Sequence, residues 1–162
     1  MTHLTPILQS ALKKISFPDS KSHKGQNGKL LIIGGSDLFH AASKWSLDVA
    51  SKIVDMVFYA STPSNNKLIK EAKENFWNGI VIERKQIKNY IEEADVILIG
   101  PGMDRSFYTK RFVNNLLKKY ASKKWVIDAG ALQMLDVKLL NQNHIVTPHH
   151  QEMALLKRKS EL

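Results

Sequence analysis

Four short turns, each directly following an apolar run, carry the residues with chemical potential. They are Gly34-Gly35-Ser36-Asp37, Gly100-Pro101-Gly102, Asp128-Ala129-Gly130, and Thr147-Pro148-His149 with Glu152 three residues on. A glycine turn that opens a helix leaves free backbone N–H groups at the positive end of a helix dipole, which suits a phosphate. Tight strand-to-helix turns also need glycine for their own backbone, and that reading stands beside the first. No Gly-Lys-Ser/Thr follows Gly35, and there is no Gly-x-Gly-x-x-Gly, so neither the P-loop nor the Rossmann fingerprint is present. Asp128 closes an apolar run, a place for a magnesium, ribose or hydroxyl contact, or for a cap on the next turn. His149 and Glu152 share a helical face. Without the His-Glu-x-x-His order, or further ligands at zinc spacing, the pair argues against zinc. Glu152 then reads as the capping-box partner of Thr147 or as an outer-shell magnesium residue. The polar, basic stretch Lys21–Lys29 is either a surface connection or a flap that turns Lys24 and backbone amides toward an anion.

These turns act together only if one scaffold brings them to one side. Val96-Ile97-Leu98-Ile99 has no polar alternation, which reads as a strand buried on both faces, as in a parallel sheet. Six such runs predict strands near 29–34, 56–61, 79–83, 95–99, 124–128 and 144–147. Helical spacing lies between them: Leu4 to Ile15 with Thr5 as cap and Pro6 in the first turn, about Ala41 to Val54, from Pro63 onward, Gln86 to Glu93, Ser106 to Ala121, and from Pro148. Asn65 to Asn75 reads as polar and exposed. The alternation predicts an α/β protein of three layers, α/β/α, with a mostly parallel sheet in one domain over residues 1–162. A parallel sheet puts all its strand ends on one rim, so the loops at Gly34, Gly102, Asp128 and Thr147 are expected to converge on one cleft.

Composition narrows the function class. The chain has 162 residues, 43% of them hydrophobic and 24% charged, which is globular and not disordered. Cysteine is absent, so there is no disulfide framework and no thiolate nucleophile or ligand. With no charged-then-apolar leader and no apolar run of membrane-spanning length, the expectation is a cytoplasmic protein without membrane contact. The net charge is +9, but the lysines are spread over helix faces and not blocked, which reads as solvated surface and disfavours nucleic acid.

Taken in order, Lys24-Gly25 with Gly28-Lys29, Gly34-Gly35-Ser36, Ala41-Ala42, Ala94-Asp95 through Gly100-Pro101-Gly102, Ile127-Asp128-Ala129-Gly130-Ala131-Leu132, and Thr147-Pro148-His149 with Glu152 resemble one family. It is the ADP/ATP-dependent NAD(P)H-hydrate dehydratase family, which belongs to the carbohydrate kinases and has a ribokinase-like fold. The resemblance runs from about Lys21 to Leu155. It implies a lyase that uses ADP or ATP with Mg2+ to dehydrate the hydrated nicotinamide ring of NAD(P)HX, a repair of damaged dinucleotide. It implies substrate contacts from Ala41, Gly102 and His149. Asp128 and Glu152 would sit on the phosphate and magnesium side, with Lys24, Gly35 and Ser36 in the same vicinity. No residue is assigned as a direct metal ligand.

The family pattern continues with a Lys-Gly segment and a Gly-Thr-Gly-Asp motif, which supply the nucleotide loop, an anion hole and the acid–base aspartate. The 162 residues contain neither. The expectation is therefore the amino-terminal part of a ribokinase-like domain, truncated, with no catalytic aspartate and no turnover alone. It should self-associate or bind a separate carboxyl-terminal half through the side bearing Val146 and the helix from Pro148 to Lys157. The alternative is a non-catalytic half-domain that binds a dinucleotide or nucleotide. His40 stands where the family has glycine, and its ring is expected to crowd the ligand. His150-Gln151 replace Pro-Gly, and Ile53 and Asp55 replace glycines before the strand at Met56.

Overall fold

The computed structural model describes residues 5–12 and 18–161. The strands are β1 (Lys29–Ile33), β2 (Met56–Ala60), β3 (Gly79–Ile82), β4 (Val96–Ile99), β5 (Lys124–Ile127) and β6 (His144–Val146). The helices are α1 (Pro6–Leu12), α2 (Ala41–Ala50), α3 (Pro63–Glu71), α4 (Ile87–Glu93), α5 (Phe107–Lys119), α6 (Ala129–Met134) and α7 (His150–Ser160). All six expected strands are present within a residue or two of their expected limits. The first helix is present over Pro6–Leu12, and the flanking residues expected to belong to it lie outside the described ones. No helix among the described residues is long and apolar enough to cross a membrane.

The strands form one sheet in the order β3-β2-β1-β4-β5-β6, and every pair is parallel. Side chains alternate across it. Leu31, Ile33, Phe58, Ile97, Ile99, Trp125 and Ile127 point to one face, where Ile91, Val113, Leu117, Leu132 and Leu156 from α4 to α7 close the larger core. Ile32, Val57 and Tyr59 point to the other, where Leu47 and Ala50 of α2, Ile69 of α3 and Phe76 form a smaller core. Burial on both faces is why β1 and β2 read as continuous apolar runs.

That reading of β4 needs correcting. On the α2/α3 face, register places Ile32 beside Leu98, Leu98 beside Val126, and Val126 beside Ile145. Along this row Ile32 is fully buried, Leu98 and Val126 are half-buried, and Ile145 is 63% exposed. The helices of this face, α2 and α3, lie over β1, β2 and β3, and the row grows more exposed beyond them. The expectation of bare surface beside Val146 and α7 is corrected as well. Val146 packs against the larger core and Leu156 of α7 is buried in it, so the uncovered apolar surface belongs to the opposite face.

His144 starts the edge strand with neither ring nitrogen in a hydrogen bond. Burial pushes its pKa below the usual histidine value, and the nearby Ala121 backbone offsets this only in part. The folded state thus takes up the proton less readily than the unfolded chain. The stability contributed is complete above the unfolded pKa near 6.5 and is lost as the pH falls below it. Melting midpoints should fall between pH 7 and pH 5, and His144→Gln should flatten that part of the profile. An unchanged slope in the variant would refute the assignment.

Candidate functional site

The chain reverses its direction of travel across the sheet between β1 and β4. In open parallel sheets the crevice at such a reversal, outside the carboxyl ends of the strands, is the common place for a ligand. Here the two turns that border it are joined directly. The Gly35 N–H donates to the Pro101 carbonyl at 2.7 Å, and Gly102 lies against Gly35 and the Phe39 carbonyl. Gly35 has φ +70°, and a Cβ on it would meet Asn65 Nδ2 at 1.9 Å and Ser61 Oγ at 2.6 Å. Gly100 has φ +120°, and a Cβ there would lie 1.8 Å from the Asp128 carbonyl. These glycines let loop approach loop; the bare backbone faces protein.

Behind Gly35 sits a buried polar network that the sequence did not announce. Tyr59 OH shares a 2.8 Å hydrogen bond with Ser43 Oγ and accepts one of 2.8 Å from Asn65 Nδ2. Asn65 Nδ2 also donates to Ser61 Oγ at 2.8 Å, and Asn65 Oδ1 is 3.1 Å from His40 Nδ1. Asn66 accepts from the Ser61 N–H at 3.0 Å and donates to the Ile82 carbonyl at 2.9 Å. Asn65 and Asn66 are therefore buried, against the expectation of an exposed polar stretch. One signal was available: Thr62 and Asn65 have capping-box spacing, and Thr62 caps α3 by accepting from the Asn65 N–H. Burial raises the Tyr59 pKa, so it stays a neutral phenol that can both donate and accept.

Gly35, Ser36, Ala41 and Gly102 come together at this crevice. Ser36 is buried, with its Oγ accepting from the Phe39 N–H at 3.0 Å, so its hydroxyl shapes the loop. Ala41 is the first residue of α2, with an exposed side chain. His40 turns its ring onto Asn65. Asp128, His149 and Glu152 occupy the β5–β6 part of the same rim, where Thr147 Oγ1 donates to Asp128 Oδ1 at 2.9 Å. His149 is the N-cap of α7: its Nδ1 accepts from the Gln151 N–H at 3.1 Å. Nε2 is then the proton-bearing nitrogen of the neutral ring, assigned from that bond, on a side chain 61% exposed. Glu152 does close a capping box, but with His149 and not with Thr147. Its Oε2 accepts from the His149 N–H at 3.1 Å and its Oε1 from Gln133 Nε2 at 2.8 Å.

Lys24 does not join the rim. Residues 24–28 precede β1, and the loop is tied to Asp55, just before β2, so it lies at the amino-terminal edge of the parallel sheet. Asp55 Oδ2 accepts from the Gly25 N–H at 2.9 Å, the Asn27 N–H at 3.1 Å and Asn27 Nδ2 at 3.0 Å. These bonds, the one to the Asn27 amide foremost, hold the Asp55 carboxyl below the usual range. The stretch is a clasp and not a flap over the site, and the aspartate at position 55 is its anchor.

The two carboxylates of the rim differ in what they could offer a magnesium ion. Asp128 accepts from Thr147 through Oδ1 alone, whereas Glu152 is buried with both oxygens accepting. Among the described residues no three His, Asp or Glu side chains come together as a metal would need.

Two further groups flank the crevice. Arg84, just after β3, lies 5.1 Å and 4.8 Å from the stacked rings of Tyr108 and Phe112, and its Nη1 donates to Tyr108 OH at 2.9 Å. Asp104 accepts from the Thr109 and Ser106 hydroxyls, which keep it ionised well into acid.

Backbone strain separates two substitutions. Gly35→Ala should destabilise by roughly 2–4 kcal/mol, from left-handed backbone plus overpacking against Asn65. Ala129 has φ +43° without being glycine, so Ala129→Gly should stabilise by about 1 kcal/mol. Urea denaturation of both variants measures this, and a neutral Gly35→Ala would contradict the packing of the two turns.

A family model described as NAD(P)H-hydrate dehydratase matches residues 30–161. Over 155 residues the chain is 37% identical to the bifunctional NAD(P)H-hydrate repair enzyme Nnr of Methanocaldococcus jannaschii, covering 90% of this chain and 31% of that protein. It is 27% identical to the ATP-dependent (S)-NAD(P)H-hydrate dehydratase of Aedes aegypti, covering 94% of this chain and 49% of that one. A ribokinase-like superfamily protein of Enterococcus faecalis superposes with a TM-score of 0.78 at 21% identity, over 89% of this chain and 53% of that chain. The ADP/ATP-dependent NAD(P)H-hydrate dehydratase of Bacillus subtilis, co-crystallised with ATP/Mg2+, gives 0.71 at 21% identity, over 93% and 54%. The chain thus spans from 31% to 54% of the length of these relatives. With a ribokinase-like fold and the family model matched from the first strand to the last helix, the chain belongs to the NAD(P)H-hydrate dehydratase family.

Proposed function

We propose that these residues form the substrate-holding half of an ADP- or ATP-dependent NAD(P)H-hydrate dehydratase. The observation that carries the reading is the joining of the β1 and β4 turns at the reversal point, which sets Ala41 and Gly102 on one crevice with His149 on the same rim. In this reading the dinucleotide lies across the crevice. The start of α2 offers backbone N–H groups beside Ala41, the Gly102 turn borders the crevice, and the His149 Nε2–H donates to an oxygen of the hydrated ring. The buried network of Tyr59, Ser43, Ser61 and Asn65 holds the crevice wall in one geometry before the ligand arrives.

Turnover needs more than this half. Phosphoryl chemistry depends on positioned donors around the phosphate and a base for the attacking hydroxyl. Glu152 is committed to structural hydrogen bonds and Asp128 alone does not make a site, so nucleotide and magnesium would be held largely by donors from further polypeptide. The row Leu98, Val126, Ile145 is the surface on which such a polypeptide would complete the domain, next to the open edge of β6. In its absence a second copy covers that face.

Three outcomes are expected. The isolated chain is blank in an assay that follows ATP-dependent conversion of hydrated NADH, and robust turnover would overturn the half-site reading. NADH binds saturably by calorimetry, and His149→Asn, which keeps an N-cap residue, weakens it about tenfold with little change in melting temperature. Light scattering at micromolar concentration shows an oligomer that Ile145→Lys converts to monomer. A wild-type monomer would refute the role given to the uncovered face.

A further inference from the structure

A cavity of about 420 Å³ opens on the carboxyl-terminal rim next to the crevice, between the ends of β2 and β3. Its lining includes Ser61, Lys67, Lys70, Glu83, Arg84 and Lys85. Four cationic side chains thus face one carboxylate, and that carboxylate is taken: Glu83 pairs with Lys85 at 2.8 Å. Lys67 and Lys70 come from α3, whose first turn forms the common wall of cavity and crevice. On the crevice side of this wall Asn65 meets His40, and Ser64 donates to Asp37. On the cavity side Asn66 is pinned to Ser61 and Ile82. Arg84 is held by its contacts with Tyr108 and Phe112, so it reaches the cavity with little freedom left to lose. Its Nε is buried without a hydrogen-bond partner and its Nη1 is given to Tyr108, so Arg84 serves the cavity chiefly through its fixed charge. Asp37 and Asp104 face Arg84 from the crevice side, so the positive excess of the cavity rests on the two α3 lysines.

We propose that this cavity is a phosphate-monoester subsite that takes the 2′-phosphate of a phosphorylated dinucleotide. The proposal rests on the reading of the crevice as a dinucleotide site. The crevice lies between β1 and β4 and the cavity between β2 and β3, two strand spacings away, or about 10 Å. A ligand with its nicotinamide end in the crevice can place its other nucleotide over the shared wall. A dianionic phosphate there would meet Lys67 and Lys70 as mobile point charges and Arg84 as a fixed one. The dinucleotide without that phosphate leaves the lysines solvated, at little gain or loss. The chain therefore discriminates between the two forms of the substrate in favour of the 2′-phosphorylated one.

The test is calorimetric titration of the chain with NADPH, NADH and adenosine 2′-monophosphate, in wild type and in Lys67→Ala/Lys70→Ala. Both lysines are exposed, so the variant folds. NADPH is expected to bind about tenfold more tightly than NADH. The variant should lose that margin, leave NADH unchanged and lose adenosine 2′-monophosphate. Rising ionic strength should narrow the margin in wild type only. Equal binding of NADPH and NADH by wild type overturns the subsite while the dinucleotide reading survives. Lysine-dependent binding of adenosine 2′-monophosphate, without binding of either dinucleotide, supports the subsite and overturns the crevice reading. Binding of adenosine 2′-monophosphate that the variant retains places the anion elsewhere and overturns the proposal.

Discussion

The closest constraint in this fold is the contact of two backbones across the reversal point, where the Gly35 N–H reaches the Pro101 carbonyl at 2.7 Å. Strands β1 and β4 are neighbours in the sheet but are separated in sequence by three helices and two strands. Their turns can meet only if no side chain stands between them. Gly35 satisfies that condition on one side of the contact. Gly100 carries the same economy of space to Asp128 at the end of β5. The rim is thus a chain of close loop contacts, and the crevice is a consequence of them.

Burial of polar groups makes that arrangement specific. Tyr59, Ser43, Ser61 and Asn65 would each lose water on folding without return if unpaired. Their hydrogen bonds exist in one geometry of the β1 turn and the α3 start, so the network selects that geometry over alternatives that are equally apolar. At the other end of the sheet Asp55 does the same for the loop at Gly25–Asn27. Both devices are polar and both hold loops, because the apolar core already fixes the strands.

The two faces of the sheet are unequal. Among the described residues, helices α4 to α7 pack on one face, and α2 and α3 lie over β1, β2 and β3 on the other. The graded exposure from Ile32 through Leu98 and Val126 to Ile145 is the measure of this. An edge strand with an apolar face is a surface that water does not favour.

The six strands, their parallel pairing and the single rim were legible from the sequence, because unbroken apolar runs separated by helical spacing have few other solutions. That the loops at Gly34, Gly102, Asp128 and Thr147 share one rim followed from strand polarity alone. Other features were decided only in three dimensions. The loop after Lys24 is clasped by Asp55, a partner thirty residues along the chain that no local pattern announces. Asn65 and Asn66 are buried because the tertiary fold offers them Tyr59, Ser61 and Ile82 as partners, which no local propensity encodes. Val96 and Leu98 read as buried on both faces, yet burial depends on what covers a strand, and that is a property of neighbours. Arg84 and the α3 lysines were three among twenty-four basic residues until the ends of β2 and β3 brought them to one cavity. Local patterns determine elements because they act over a few residues; sites depend on long-range contacts that only the packed sheet creates.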